Sequence, residues 1–530
     1  MSASPTFEAT PLLHCPSRDP IPYPVSYPTT WYALRATPSF RACSNCYRSS
    51  ILPAGLSHLF YPVVESISGP ERFCNYNTPH VRALAAAAAK EGDEGGAAVA
   101  RLEAHAAHRV AVSDCGLGRA VAPEEDFGWH RLRGGMDACH ACYADFLSAS
   151  NFAAEIPAET VRQPPTQLAL CDVGNAFARR MATEAGDYDE FLEALSRRTR
   201  APRCTGPERG GAGSRRWYRP REQRARGLTV CEECFLDAAG GTQYETLFEE
   251  AGGSSRGAAA GSVAGGAALA CGFGTYPALA VNFGLMMEFR EPRLFLRAVE
   301  TVLSNPPCDP LGIPPNAPYY ALPTVQNFAI CAPCVASLVT PIRVLDTHLV
   351  QGSPPAPEGT ICALNAANPR VEQYIKKISE SAEKGEPSIF LSTASYLSTS
   401  PPCPRSTPTD GAHRWTGNGQ FSACEDCARD VVLQSPLAVF MTYREASVPG
   451  PRRCDFYSAR VRGFWGQASR AGDLRGALSD FGAIMRHREA VWRKMIKTRE
   501  DLEGGVVEPG DVPALEARLR ELEALWMEVE

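Results

Sequence analysis

The sequence lacks most of the short motifs typical of enzymes and of secreted proteins. It contains neither His-Glu-x-x-His nor Gly-x-x-x-x-Gly-Lys-Ser/Thr, the signatures of zinc hydrolases and of phosphate-binding loops. No Asn-x-Ser/Thr glycosylation sequon occurs, and the first residues have neither a basic nor an apolar region. We therefore expect no secretory signal and an intracellular location, cytoplasmic or nuclear.

No cysteine is left over from one repeated pattern. All 20 cysteines fall into five copies of a lone Cys, a Cys-x-x-Cys pair and a lone Cys. The sets are Cys15, Cys43, Cys46, Cys74; Cys115, Cys139, Cys142, Cys171; Cys204, Cys231, Cys234, Cys271; Cys308, Cys331, Cys334, Cys362; and Cys403, Cys424, Cys427, Cys454. Four thiolates match the closed tetrahedral shell of a structural zinc site, so we predict about five zinc ions per chain. Ten disulfides, or redox-active or free thiols, stay open as alternatives.

The repeat also predicts the domain organisation. The first Cys of each pair recurs after 96, 92, 100 and 93 residues, a period close to the size of a small domain. An aromatic residue and a short β-prone run precede each pair in most copies, and helical segments follow it. We predict an α+β fold, a tandem array of five small four-cysteine zinc-binding modules joined by helices. The modules occupy 1–110, 111–200, 201–303, 304–398 and 399–500, and an amphipathic helix occupies 501–530.

The spacing within the modules predicts further elements. The second Cys of the pair and the last Cys lie 28, 29, 37, 28 and 27 residues apart, so the third module carries an insertion, Gly252–Ala270. A bracing helix is expected after the last Cys, over Val81–Ala107 in module one and within Phe464–Thr498 in module five. The helix from Val512 is expected to dock onto module five, with dimerisation as the alternative.

The spacing of the cysteines allows two other groupings of the ligands. A shifted grouping, in which each pair uses the last Cys of the preceding module, leaves fragments at both ends of the array. The grouping used here closes all five sets. Sites interleaved between neighbouring modules remain open.

Other motifs are weaker. Cys331-Ala-Pro-Cys334 is similar to a redox dithiol, but four sister pairs share its position in the repeat, which favours a structural ligand. Gly253-Ser-Ser-Arg-Gly257 matches the Gly-x-Ser-x-Gly spelling of a hydrolase by chance. His130 and His140 are expected at the surface, because every cysteine set is complete without them. Residues 257–287 carry no charge but hold too many small residues for a good membrane helix.

An arginine-rich segment suggests a second function. Residues 197–226 contain eleven arginines against two glutamates, and Arg215, Arg216, Trp217 and Arg219 could bind nucleic acid. A solvated basic loop is the alternative. The formal charge of −6 would become about −16 with five filled four-thiolate sites, which argues against general nucleic-acid affinity.

Three stretches of the sequence are similar to those of a known family. They are the Trp-Tyr at 31–32, the Cys-x-x-Cys-Tyr at 43–47 and the phrase Cys454-Asp-Phe-Tyr-Ser-Ala-Arg-Val-Arg462. The chain resembles a family of uncharacterised multi-Cys-x-x-Cys proteins from filamentous fungi, over most of its length. Modules three and four depart from the last phrase. The resemblance implies no activity. We predict an intracellular protein-interaction scaffold without a catalytic site, with a nucleic-acid-binding protein, or a ubiquitin-ligase-like adaptor or other enzyme, as alternatives.

Overall fold

The computed structural model describes residues 15, 30–63, 74–91, 96–117, 120–121, 128–162, 168–206, 215–251, 269–353, 355–356, 360–409, 413–503 and 511–529. Among them, the residues up to Thr393 form one compact unit and those from Ala394 a second. The first unit holds four cysteine sets and the second holds the fifth. The fold mixes helices with small sheets, as predicted.

Each module contains one three-stranded antiparallel sheet. The strands are β1 Trp31–Leu34, β2 Thr37–Cys43, β3 Phe60–Val63, β4 Gly128–Arg131, β5 Asp137–Cys139, β6 Val161–Arg162, β7 Trp217–Pro220, β8 Val230–Cys231, β9 Phe248–Glu250, β10 Tyr319–Ala321, β11 Ala329–Cys331, β12 Val350–Gln351, β13 Trp415–Gly417, β14 Ser422–Cys424 and β15 Tyr443–Ala446. The first strand of each module lies in the middle of its sheet, and the other two flank it. The third strand has no counterpart in the sequence prediction.

A pair of helices follows each sheet. The longer helices are α1 Pro79–Glu91, α2 Gly96–Ala111, α3 Ala176–Glu184, α4 Tyr188–Arg200, α5 Pro277–Phe289, α6 Pro292–Ser304, α7 Val371–Lys384, α8 Pro387–Ser398, α9 Ala459–Ala468, α10 Leu474–Glu503 and α11 Val512–Val529. Short helices begin within each Cys-x-x-Cys: Ser44–Cys46, His140–Asp145, Glu232–Ala238, Ala332–Cys334 and Glu425–Cys427. We call each Cys-x-x-Cys with its short helix a knuckle.

The single helix predicted over Val81–Ala107 is wrong, because α1 and α2 are separate helices that pack against each other. The helix predicted within Phe464–Thr498 is present as α10, which begins at Leu474 and runs on to Glu503. In module five, the carboxylate of Asp473 accepts hydrogen bonds from the backbone N–H groups of Arg475 and Gly476 and starts a new helix. A short polar cap therefore decides a boundary that apolar periodicity does not reveal.

The helices pack on their own sheet and also touch the next knuckle. Val81 and Leu102 join Trp31 and Cys43 in the core of module one. Arg180 on α3 donates to the carbonyls of Leu236, Asp237 and Gly240 beside the third knuckle. Within the first unit, this helix pair therefore braces modules two and three, as predicted.

The last helix, α11, packs on α10 inside the second unit. The ring of Trp526 lies 4.7 Å from the guanidinium of Arg488, which is fully buried on α10. Arg499 and Glu523 form an ion pair across the two helices at 2.9 Å. These contacts confirm the prediction that the C-terminal helix docks onto module five.

Candidate metal centres

An edge strand delivers each knuckle to its place. The aromatic residue of the central strand lies directly across from the first cysteine of the pair in all five sheets. The facing residues are Trp31 and Cys43, Trp129 and Cys139, Trp217 and Cys231, Tyr319 and Cys331, and Trp415 and Cys424. The chain then turns into the short helix, which presents the second cysteine three residues later. A strand-to-helix junction thus points two thiols to one spot.

A backbone hydrogen bond to its sulfur holds the last cysteine of the set beside the first two. The N–H of Cys43 donates to Cys74 Sγ at 3.3 Å, and the N–H of Cys139 donates to Cys171 Sγ at 3.3 Å. The fourth and fifth modules repeat this bond, from Cys331 to Cys362 and from Cys424 to Cys454, each at 3.4 Å. Such N–H to sulfur bonds stabilise a thiolate.

The structure brings together the same five sets that the sequence predicts. Within each set, the four Sγ atoms all lie within 4.8 Å of one another. All 20 cysteines are free. The sulfurs of Cys15 and Cys46 lie 3.4 Å apart and those of Cys403 and Cys427 lie 3.6 Å apart. A disulfide needs about 2.05 Å, whereas two sulfurs on a tetrahedral ion with bonds of about 2.3 Å lie about 3.8 Å apart. The spacing fits a metal site.

The electrostatics of the sets also call for a cation. In the second set, S–H donation from Cys139, Cys142 and Cys171 holds the pKa of Cys115 far below its ordinary value. Burial raises the pKa of Cys171 in the same cluster far above its ordinary value. Deprotonation of one thiol in the set is therefore favoured, and deprotonation of the remaining thiols is opposed. A bound dication removes this opposition, because metal ligation requires deprotonated sulfur.

A buried arginine neutralises part of the charge in two modules. Arg462, eight residues after Cys454, donates to Cys427 Sγ at 3.3 Å, to Asp430 at 2.9 Å and to the Phe456 carbonyl at 2.6 Å. Burial alone would lower the pKa of Arg462, but the Cys427 thiolate and Asp430 raise it above its ordinary value.

The equivalent positions in the other modules differ. Arg179 in module two is buried, with its guanidinium 3.9 Å from Cys142 Sγ. Arg82 in module one is exposed, and Leu279 takes the place in module three. In module four the equivalent residue, Arg370, is half-buried, and at another position the side chain of Asn365 donates to Cys308 Sγ at 3.0 Å. The modules therefore share their ligands but not the hydrogen-bonding shell around them.

The third set is the most open of the five. It has two half-buried members, Cys204 and Cys234, whereas every other set has one or none. S–H donation from Cys231 and Cys234 lowers the pKa of Cys204 to about 7. The residue after its last cysteine is Gly272, where modules one, two and five have Asn75, Asp172 and Asp455. These three side chains accept a backbone N–H from the strand that leads into the knuckle.

Two of the residues predicted to bind nucleic acid, Trp217 and Arg219, lie in strand β7 and not in an exposed loop. Trp217 and Tyr218 are 5% and 7% exposed, because β7 is the central strand of its sheet. Arg219 pairs with Glu249 at 2.9 Å, whereas Arg216 is exposed. Neither ring offers a face for stacking on a base. Nucleic-acid binding here remains a prediction that these contacts do not favour.

The expectation that His130 lies at the surface is wrong. Its side chain is 0% exposed, and Nδ1 lies 2.9 Å from the Pro157 carbonyl oxygen. Burial lowers the pKa of His130. The period-two pattern of β4 does not reveal this burial, because it places His130 on the face opposite to that of the buried Trp129. His140, on the second knuckle, is half-buried.

Two sequence features lie outside the described residues: the Gly253–Gly257 motif and most of the Gly252–Ala270 insertion. The described end of the uncharged stretch forms α5, whose buried Asn282 donates to the Ser337 carbonyl at 2.9 Å. Among the described residues, no helix has both the length and the apolar composition that crossing a bilayer requires.

Comparison with known protein families, curated proteins and solved structures finds no match for this chain. The resemblance to fungal proteins therefore stays a prediction.

Proposed function

We propose that the protein binds five structural zinc ions, one in each four-cysteine set, and acts as an intracellular scaffold for other proteins. The observation that carries the zinc assignment is the convergence of four free thiols within 4.8 Å of one another in all five modules. Zinc and iron are the metals that suit a tetrahedral shell of four sulfurs. Zinc is preferred because it has no redox chemistry and serves in closed structural sites.

A closed ligand shell indicates that the metal stabilises the fold. Four protein ligands leave no position for an activated water or a substrate, which a catalytic zinc needs. The sheets around the knuckles are short, with two to seven residues per strand, so they bury little apolar surface by themselves. A structural zinc ion contributes about 10–16 kcal/mol in finger peptides, as much as the stability of an ordinary domain.

The scaffold role is supported by how the modules join. In the first unit, the side chain of Asn45 on the first knuckle donates to Glu288 on α5 at 3.2 Å, and Arg48 donates to the Glu383 carbonyl at 3.2 Å. Metal sites of different modules are thus tied into one framework that can hold several outer surfaces in fixed positions. The thiols that zinc requires persist in a reducing compartment, which supports an intracellular location.

Crosslinking with mass spectrometry on the zinc-loaded chain tests the scaffold. Wild type is compared with Cys43→Ser and Cys427→Ser, which disrupt one module in each unit. We expect each variant to lose the partners crosslinked to its own unit and to keep those of the other. Partners that bind equally after zinc is removed from every module would contradict the proposal.

A further inference from the structure

Five of the ten histidines lie where module one meets the knuckle of module two, within the first unit. His80 is on α1, His105 and His108 are on α2, His130 is on β4 and His140 is on the second knuckle. The rings of His80 and His105 stack at 4.4 Å, those of His130 and His140 stack at 5.1 Å, and those of His108 and His140 meet edge to face at 5.2 Å. No cysteine set uses any of them.

Hydrogen bonds fix how these rings present their nitrogens. The Pro157 carbonyl only accepts, so His130 Nδ1 donates to it at 2.9 Å. In a neutral ring, His130 Nε2 then accepts from His140 Nδ1, which lies 2.8 Å away. This leaves the lone pair on His140 Nε2, and that atom faces His108 Nε2 at 3.0 Å. His140 is therefore held in the tautomer that a metal ligand requires, and His108 donates its Nε2–H to it in the metal-free state.

The geometry of the pair suits a metal ion. Two imidazole nitrogens on a tetrahedral ion, with bonds of about 2.0–2.1 Å, lie about 3.3 Å apart. The observed 3.0 Å needs only a small opening, and His108 can supply it because its side chain is exposed. His140 donates its Nδ1–H to His130 Nε2, and a hydrogen bond from the second ring nitrogen orients histidine ligands in metal sites.

The surrounding charges allow a cation. Arg109, one residue after His108, is buried, but its guanidinium contacts Asp145 at 3.0 Å and Asp114 at 2.6 Å. Arg179 also acts on Asp145, so the two carboxylates face two guanidinium groups. The cluster is therefore close to neutral beside the two histidines.

We propose that His108 and His140 form a separate site for an exchangeable divalent transition-metal ion, which links helix α2 of module one to the knuckle of module two. Imidazole ligands suit Zn²⁺, Ni²⁺ and Cu²⁺. Water completes the coordination, because the protein supplies two ligands. His130 acts as a positioning residue. The proposal is independent of the metal in the cysteine sets and of the scaffold role.

Nickel binding to the full chain, loaded with zinc and freed of excess metal, tests this site. After equilibrium dialysis against Ni²⁺, we expect one nickel ion per chain with all zinc retained and no thiolate-to-nickel charge-transfer absorption. His108→Gln should weaken this binding by at least about 10-fold, the scale on which a metal site responds to loss of a supporting residue. His140→Gln should weaken it as well, while His487→Gln, an exposed histidine on α10, should not.

Three results would overturn the proposal: no nickel bound, equal binding by His108→Gln, or nickel bound only as zinc leaves, with thiolate charge transfer. His108 is exposed, so its variant is expected to fold, and the retained zinc in the same sample reports whether it has. That zinc count also tests the cysteine sites separately. A low count with nickel still bound through His108 would contradict the proposed function and leave this site standing.

Discussion

Replacing Arg462 by Met should loosen the fifth metal site and destabilise the second unit. The side chains of Arg462 and Asp430 are 11% and 8% exposed, so the variant leaves a buried carboxylate without this partner, beside an uncompensated thiolate. Breaking a buried ion pair costs about 3–5 kcal/mol. Loss of a partner outside the ligand shell lowers metal affinity by about 10–100-fold. We therefore expect early unfolding of the second unit and faster zinc loss from the Cys403 set.

The assay combines chelator competition with hydrogen exchange. Zinc release is assigned to a module by mass-spectrometric mapping of the cysteines that become alkylated, and exchange reports the stability of each unit. The matched control is Arg82→Met, at the equivalent position of module one, where the side chain is exposed. The double variant Arg462→Met/Asp430→Asn removes the stranded carboxylate, so the loss that remains measures the contact with Cys427.

Equal rates of zinc release from Arg462→Met and Arg82→Met, with equally stable modules, would refute this prediction. A double variant as stable as the wild type, with unchanged zinc release, would mean that the arginine serves Asp430 alone.

Three further predictions concern single modules. Cys427→Ser should expose the second unit to exchange and leave the first protected, since a structural zinc ion contributes about 10–16 kcal/mol; loss of protection throughout both units would contradict this. Under a chelator, alkylation should reach Cys204 and Cys234 first, because they are half-buried and Leu279 replaces the arginine there; equal labelling of all sets would count against it. Burial, helped by the charge of His80, lowers the pKa of His105 from 6.5 to about 4. The free energy of unfolding that depends on neutral His105 is fully present above pH 6.5 and is lost as the pH falls toward 4. In denaturant titrations, His105→Gln should therefore reduce the change in stability between these pH values, and an unchanged pH dependence would refute the prediction.

The grouping of the ligands could be predicted from sequence because metal chemistry restricts it strongly. Cys-x-x-Cys with two flanking cysteines defines each set, and the repeat fixes the phase. The strand leading into the knuckle was also predictable, since Phe40–Cys43 and Phe421–Cys424 are β-prone runs. The facing aromatic was visible as a repeated residue, though its place opposite the cysteine was not.

Other features depend on contacts that are distant in the chain. The third strand of each sheet has two to four residues, too few for a periodic signal. The helix pairs were missed because turns such as that at Asp473 depend on local capping. The histidine cluster forms because α2 packs against the second knuckle. The spacing of His108 and His140 in the sequence does not reveal this contact.

The most direct test of the account is native mass spectrometry of the intact chain with metal analysis. We expect five zinc ions held by the cysteine sets, no disulfides, and loss of one ion for each set disrupted by a Cys→Ser substitution. A metal-free chain with ten disulfides, or iron in place of zinc, would contradict it.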